Sequence, residues 1–99
     1  MAEPVNYPKG DLRRMLAVLG AIEGMRDATL VKIVARTGID KKTVTTLIAQ
    51  AGEQARVLID KNGPVYEIAD WGPVFKKSGG KMALTGALNA PSIVATDTN

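Results

Sequence analysis

The stretch Thr29–Ile48, TLVKIVARTGIDKKTVTTLI, followed shortly by Ala55–Ile68, ARVLIDKNGPVYEI, decides the fold. Leu30, Ile33 and Val34 recur at helical spacing, so a helix is predicted over about 30–37 with Thr29 as its N-cap. Gly38 follows directly, as a residue with left-handed dihedrals does at a helix C′ position, and Ile39 reads as the buried residue of the turn. Asp40 then caps a third helix over about 41–53, whose inner face is Val44, Leu47, Ile48 and Ala51. After it the period changes from 3.6 to 2. Val57 and Ile59 point one way, and Arg56, Leu58 and Asp60 the other. Asp60-Lys61-Asn62-Gly63 is strong turn chemistry, and Val65, Tyr66 and Ile68 make the return strand of a hairpin.

Upstream, Asp11 caps a first helix over about 11–25, with Leu12, Met15, Leu16, Leu19 and Ile22 in one apolar stripe. Gly20 lies inside this helix at a cost of about 1 kcal/mol against Ala, which close approach of another helix would explain. Residues 1–10 carry Pro4, Pro8 and Gly10 without periodicity and read as a flexible arm. Trp71, Tyr66 and Phe75 are read as core, with Trp71 and Phe75 beneath the sheet or against the first helix. Residues 78–99 are rich in Gly, Ala, Ser, Thr and Asn and read as a mostly disordered tail with at most a helical turn near Met82–Leu88. The expected organisation is therefore one α+β domain over 11–77, with three helices and a hairpin, between an arm and a tail.

With no Cys and no His, the chain has no disulfide, no Cys/His zinc site and no Cys- or His-based catalysis. Its carboxylates are scattered, with no pair placed on one face of a cleft. Ser78-Gly79-Gly80-Lys81 lacks the spacing and context of a phosphate-binding loop. An enzyme is not expected, nor a cofactor. The net charge is +3 and the pI about 9.4, which suits a polyanionic partner. The window 32–61 holds six Lys/Arg against three Asp/Glu, so the whole excess falls on the helix–turn–helix and hairpin. No apolar run approaches the roughly 20 residues of a membrane span, and MAEPVNYPKG is unlike a secretory leader. A soluble cytoplasmic protein is expected.

The order helix, helix, turn, helix, hairpin, carried by LRRMLAVLGAI, LVKIVARTGIDKKTVTTLI and the Tyr of PVYEI, resembles the winged helix-turn-helix domain of IclR-type bacterial regulators over about residues 11–72. The resemblance implies a double-stranded DNA reader on the bacterial nucleoid. The effector-sensing domain that usually follows in that family is absent from the sequence, so no small-molecule effector is expected. Val34 stands where the family prefers Ala.

On a helical wheel of the third helix, Lys42, Thr46, Ala49 and Glu53 face away from the core, flanked by Thr43, Thr45 and Gln50. Gln can pair with adenine, Lys with guanine acceptors, and Thr with phosphate or the thymine methyl. Lys41 and Lys42 oppose the helix dipole, which a phosphate at that end would relieve. The expected DNA contacts are Lys41, Lys42, Thr43, Thr45, Thr46 and Gln50, with Arg36 on the second helix and Arg56 and Lys61 at the hairpin. Arg13 and Arg14 either clamp phosphate or pair with acidic neighbours, and Lys76, Lys77 and Lys81 add a basic cluster. A transcriptional regulator, most simply a repressor, is expected to act as a homodimer, since one monomer covers only about half of a typical specific site. Its dimer surface would come from the first helix, Trp71–Phe75 or the tail. The alternatives are a winged-helix protein–protein adaptor, which would expose apolar or acidic groups on the third helix, and a plasmid or phage replication or partition protein.

Overall fold

The computed structural model describes residues 7–87 and is α+β. Its elements are α1 (Leu12–Gly24), β1 (Ala28–Thr29), α2 (Leu30–Thr37), α3 (Lys41–Ala55), β2 (Leu58–Asn62), β3 (Val65–Asp70) and α4 (Lys77–Thr85). The three expected caps form. Asp11 accepts from the Arg13 N–H, Thr29 from the Lys32 N–H and Asp40 from the Thr43 N–H, each satisfying an orphan donor of the first turn. Helix α3 runs two residues beyond its expected end. It closes at Arg56 in the left-handed region, where the Val57 N–H donates back to the Ala51 carbonyl at 3.2 Å.

The turn between α2 and α3 is built from one buried hydroxyl. Thr37 donates to the Ile33 carbonyl at 2.7 Å and accepts from the Ile39 N–H at 3.2 Å. That double use satisfies a buried polar group and fixes the entry of α3. Around the turn Val18, Ala21, Ile22, Ala28, Ile33, Ile39 and Val44 form one buried cluster, with Leu47, Ile48, Tyr66 and Ile68 packed against it. A second cluster of Met15, Leu19, Ala51, Ala55 and Val57 is covered by Ile59, Trp71 and Phe75. Val18, Leu19, Ile33 and Val44 are fully buried, and each contributes roughly 1.5–3 kcal/mol of burial.

The sheet has three antiparallel strands in the order β1-β3-β2. The third strand is β1, two residues that pair Ala28 with Tyr66 and Thr29 with Val65. Such a short piece carries no periodicity for the sequence to show. The hairpin turn also lies further along than expected. Asn62 pairs with Val65, so Gly63 and Pro64 are the central residues. Gly63 has φ +61, and Pro64 has its negative φ fixed by the ring, which is the type II′ order.

The expected tail and arm both need correction. Residues 78–85 belong to α4, a fourth helix that packs along α1. The seam is a glycine contact. A Cβ on Gly20 would lie 2.3 Å from the Gly80 carbonyl oxygen, so the two backbones approach closer than any side chain permits. Two glycines cost α4 about 2 kcal/mol in helix propensity, and burial of Gly80 and Ala83 against α1 offsets it. Trp71 closes the seam, with its ring edge against Gly80 and its indole N–H donating to Glu23 at 3.0 Å. Tyr7, assigned to the arm, is buried with Ala17 and Ala83, and its hydroxyl donates to the Ala83 carbonyl. Residues 1–6 of the arm and 88–99 of the tail, including Leu88, lie outside the described residues. Among the described residues no helix is long and apolar enough to cross a membrane.

Candidate nucleic-acid interface

Helix α3 buries Val44, Ala51 and Ala55 and turns Lys41, Lys42, Thr45, Thr46, Ala49 and Glu53 to solvent, as the wheel requires. Thr43 and Gln50 are half-buried because they border a second wall. That wall is the N-terminal end of α1. A groove of about 330 Å³ runs between the two helices, with Thr43, Thr46, Gln50 and Gln54 on one side and Lys9 and Arg14 on the other. The positive charge of Arg14 is one of the influences that hold the Asp40 carboxylate below its usual range. The larger ones are the hydrogen bonds Asp40 accepts from the Thr43 hydroxyl, at 2.6 Å, and the Thr43 N–H. The start of α3 thus carries Lys41 and Lys42, with Lys9 and Arg14 on the facing wall, and the two carboxylates there are already committed: Asp40 caps α3, and Asp11 caps α1 and pairs with Arg13.

The threonines are less free than their sequence suggests. Thr43 gives its proton to Asp40, Thr45 to the Lys41 carbonyl at 3.0 Å, and Thr46 to the Lys42 carbonyl at 3.1 Å. Each hydroxyl spends its one donor inside the helix and keeps its lone pairs and methyl for a partner. These residues can accept from an exocyclic amine or touch an apolar group. They are poor donors to phosphate.

Three expected contacts lie elsewhere. Arg36 lines a different groove, shared with Gly20, Met25, Lys77 and Lys81 between α1 and α4. Arg56 caps the far end of α3, roughly 22 Å along the axis from Lys41 for a helix of 15 residues. Lys61 stands directly across the hairpin from Tyr66, its ammonium 5.5 Å from the ring centroid. Its face of the hairpin is the one carrying Tyr66. The other face pairs Asp60 with Glu67, two exposed carboxylates side by side, which repel each other and any polyanion.

Arg13 and Arg14 separate cleanly. Arg13 pairs with Asp11 at 2.7 Å and lies over the Tyr7 ring. Its hydrogen bonds hold the Asp11 carboxyl down to about 2. Arg14 is the groove residue. Lys9 and Gln54 were not singled out from sequence, and the signal for them is weak. Position 14 abuts Met15 on the apolar stripe, but which flank of that stripe meets α3 is a tertiary fact. No known protein family, curated protein or solved structure matches this chain.

Proposed function

We propose that this chain is a winged helix-turn-helix protein that binds double-stranded DNA and regulates transcription, most simply as a repressor. The succession α1, β1, α2, α3, β2, β3, with β3 central in the sheet, supports this reading of the fold. The observation that carries the function is the exposed first half of α3, where Lys41, Lys42, Thr45 and Thr46 face solvent and Thr46 lines the groove shared with Arg14. An α-helix fits the major groove. Entering it by this end, α3 would aim Lys42, Thr46 and Gln50 at base edges. Gln50 is suited to adenine, and Thr46 to the thymine methyl or an exocyclic amine. Lys41, Arg14 and Lys9 would hold the flanking phosphates, and Lys61 would reach the backbone from the hairpin. Asp60 and Glu67 would then face away from the duplex. A single module of this size buries about 600–1,000 Å², below the range of most specific complexes, so the reading includes a homodimer on a two-fold site.

The test is fluorescence anisotropy on a random 30-bp duplex across a salt series. Binding whose affinity falls with a log–log slope of several units is the expected result, and Arg14→Ala should reduce that slope by about 0.9 for one lost phosphate contact. No binding at about 50 mM salt would overturn the proposal and favour a protein–protein adaptor.

A further inference from the structure

The groove that takes Arg36 away from the α3 surface has a composition of its own. It holds about 580 Å³ between the second half of α1, the end of α2 and α4. Ligand pockets of folded proteins run from about 300 to 1,000 Å³. Its floor is apolar, formed by Ala21, Met25 and Leu84 with the bare backbone of Gly20. Its rim carries Arg36, Lys77 and Lys81. Glu23 is the one carboxylate there, and it is already engaged by the Trp71 N–H at 3.0 Å and by Lys77 at 3.6 Å. Among the described residues no carboxylate pairs with Arg36 or Lys81.

An apolar trough under two cations from different helices, neither paired with a carboxylate among the described residues, is complementary to an amphipathic anion. We propose that this groove binds a small organic acid with an apolar body, the body lying on Ala21, Met25 and Leu84 and the carboxylate held by Arg36 and Lys81. The guanidinium provides a planar fork for a carboxylate, and Lys81 adds a point charge from the opposite wall. A free inorganic anion would gain the charges but leave the floor wet. A neutral apolar molecule would gain the floor but leave the cations unpaired. The site therefore selects for both properties together. This inference does not depend on the DNA-binding proposal, since none of these residues belongs to the α3 surface.

Isothermal titration calorimetry of the full chain with decanoate, decanol and inorganic phosphate tests it. Decanoate, kept below its micellar concentration, should bind saturably at one site with a dissociation constant of about 100 µM or tighter. Decanol and phosphate should each bind at least tenfold more weakly. Arg36→Gln and Lys81→Gln should each weaken decanoate roughly tenfold, as expected for loss of one charge-assisted hydrogen bond. Arg26→Gln, which removes the same charge from another face, should leave it unchanged. Circular dichroism of each variant checks that the fold is kept. The proposal is overturned if decanoate does not saturate, if decanol binds as well, or if Arg26→Gln weakens binding as much as Lys81→Gln, which would mean attraction to net charge alone.

Discussion

Gly20→Ala tests the packing of α4 more directly than any other substitution. The added methyl would meet the Gly80 carbonyl oxygen at 2.3 Å and its carbon at 2.7 Å, where ordinary contact begins at 3.4 Å. Both obstacles are backbone, so the helices must part by about 1 Å. Parting them loosens the contacts of Ala83, which is fully buried, and of Tyr7 and Trp71 at the two ends of the seam. Overpacking of this kind costs about 1–3 kcal/mol, and the upper end applies because neither side can rotate away. Alanine returns about 1 kcal/mol through its better helix propensity. The net expectation is a loss of about 2 kcal/mol. For a domain of this size that lowers the melting temperature by roughly 8–16 °C. Gly24→Ala is the matched control. It lies in the same helix, and nothing stands within 4 Å of its Cβ position. It should leave the midpoint unchanged or raise it. Thermal unfolding followed by circular dichroism reads both. If Gly20→Ala melts as high as Gly24→Ala, α4 does not lie on α1 at this point and the account of the seam is wrong.

Three further outcomes follow from other contacts. Lys42→Ala combined with Thr46→Ala should weaken binding to a selected operator by at least tenfold more than binding to random duplex; equal losses on both would remove α3 as the reader. Tyr7→Phe should lower stability by about 1 kcal/mol in urea titration through loss of the bond to the Ala83 carbonyl, and an unchanged midpoint would mean that the contact contributes nothing. Asp11 is held at about 2, first by the Arg13 side chain and then by the Arg13 N–H, against an unfolded value of about 3.9. Between those values the folded state binds fewer protons than the unfolded one. The stabilisation is therefore complete above about pH 5 and fades as the pH falls toward 2. The stability difference between the parent chain and Asp11→Asn, followed by urea unfolding from pH 7 to pH 2.5, should shrink over that window. A difference that stays constant would show that Asp11 acts without its charge.

The sequence by itself determined the local grammar of this protein. Caps at Asp11, Thr29 and Asp40, the left-handed Gly38, the apolar face of α3 and the strand pairing behind it all depend on residues a few positions apart, so their signals survive in the order of the letters. The exposed set Lys41, Lys42, Thr45 and Thr46 was legible for the same reason, because one buried stripe fixes the opposite face. Gly20 even announced a close neighbour without naming it. Only the tertiary structure decided which neighbour, since KSGGKMALT is too polar and glycine-rich to read as a helix and becomes one by lying against α1. It likewise decided that Arg14 meets α3 while Arg36 meets α4, and that two residues at Ala28–Thr29 complete a sheet with a strand nearly forty positions away. Which flank of a helix meets which partner depends on how the whole chain packs. That information is carried by contacts between distant residues, which no local period records.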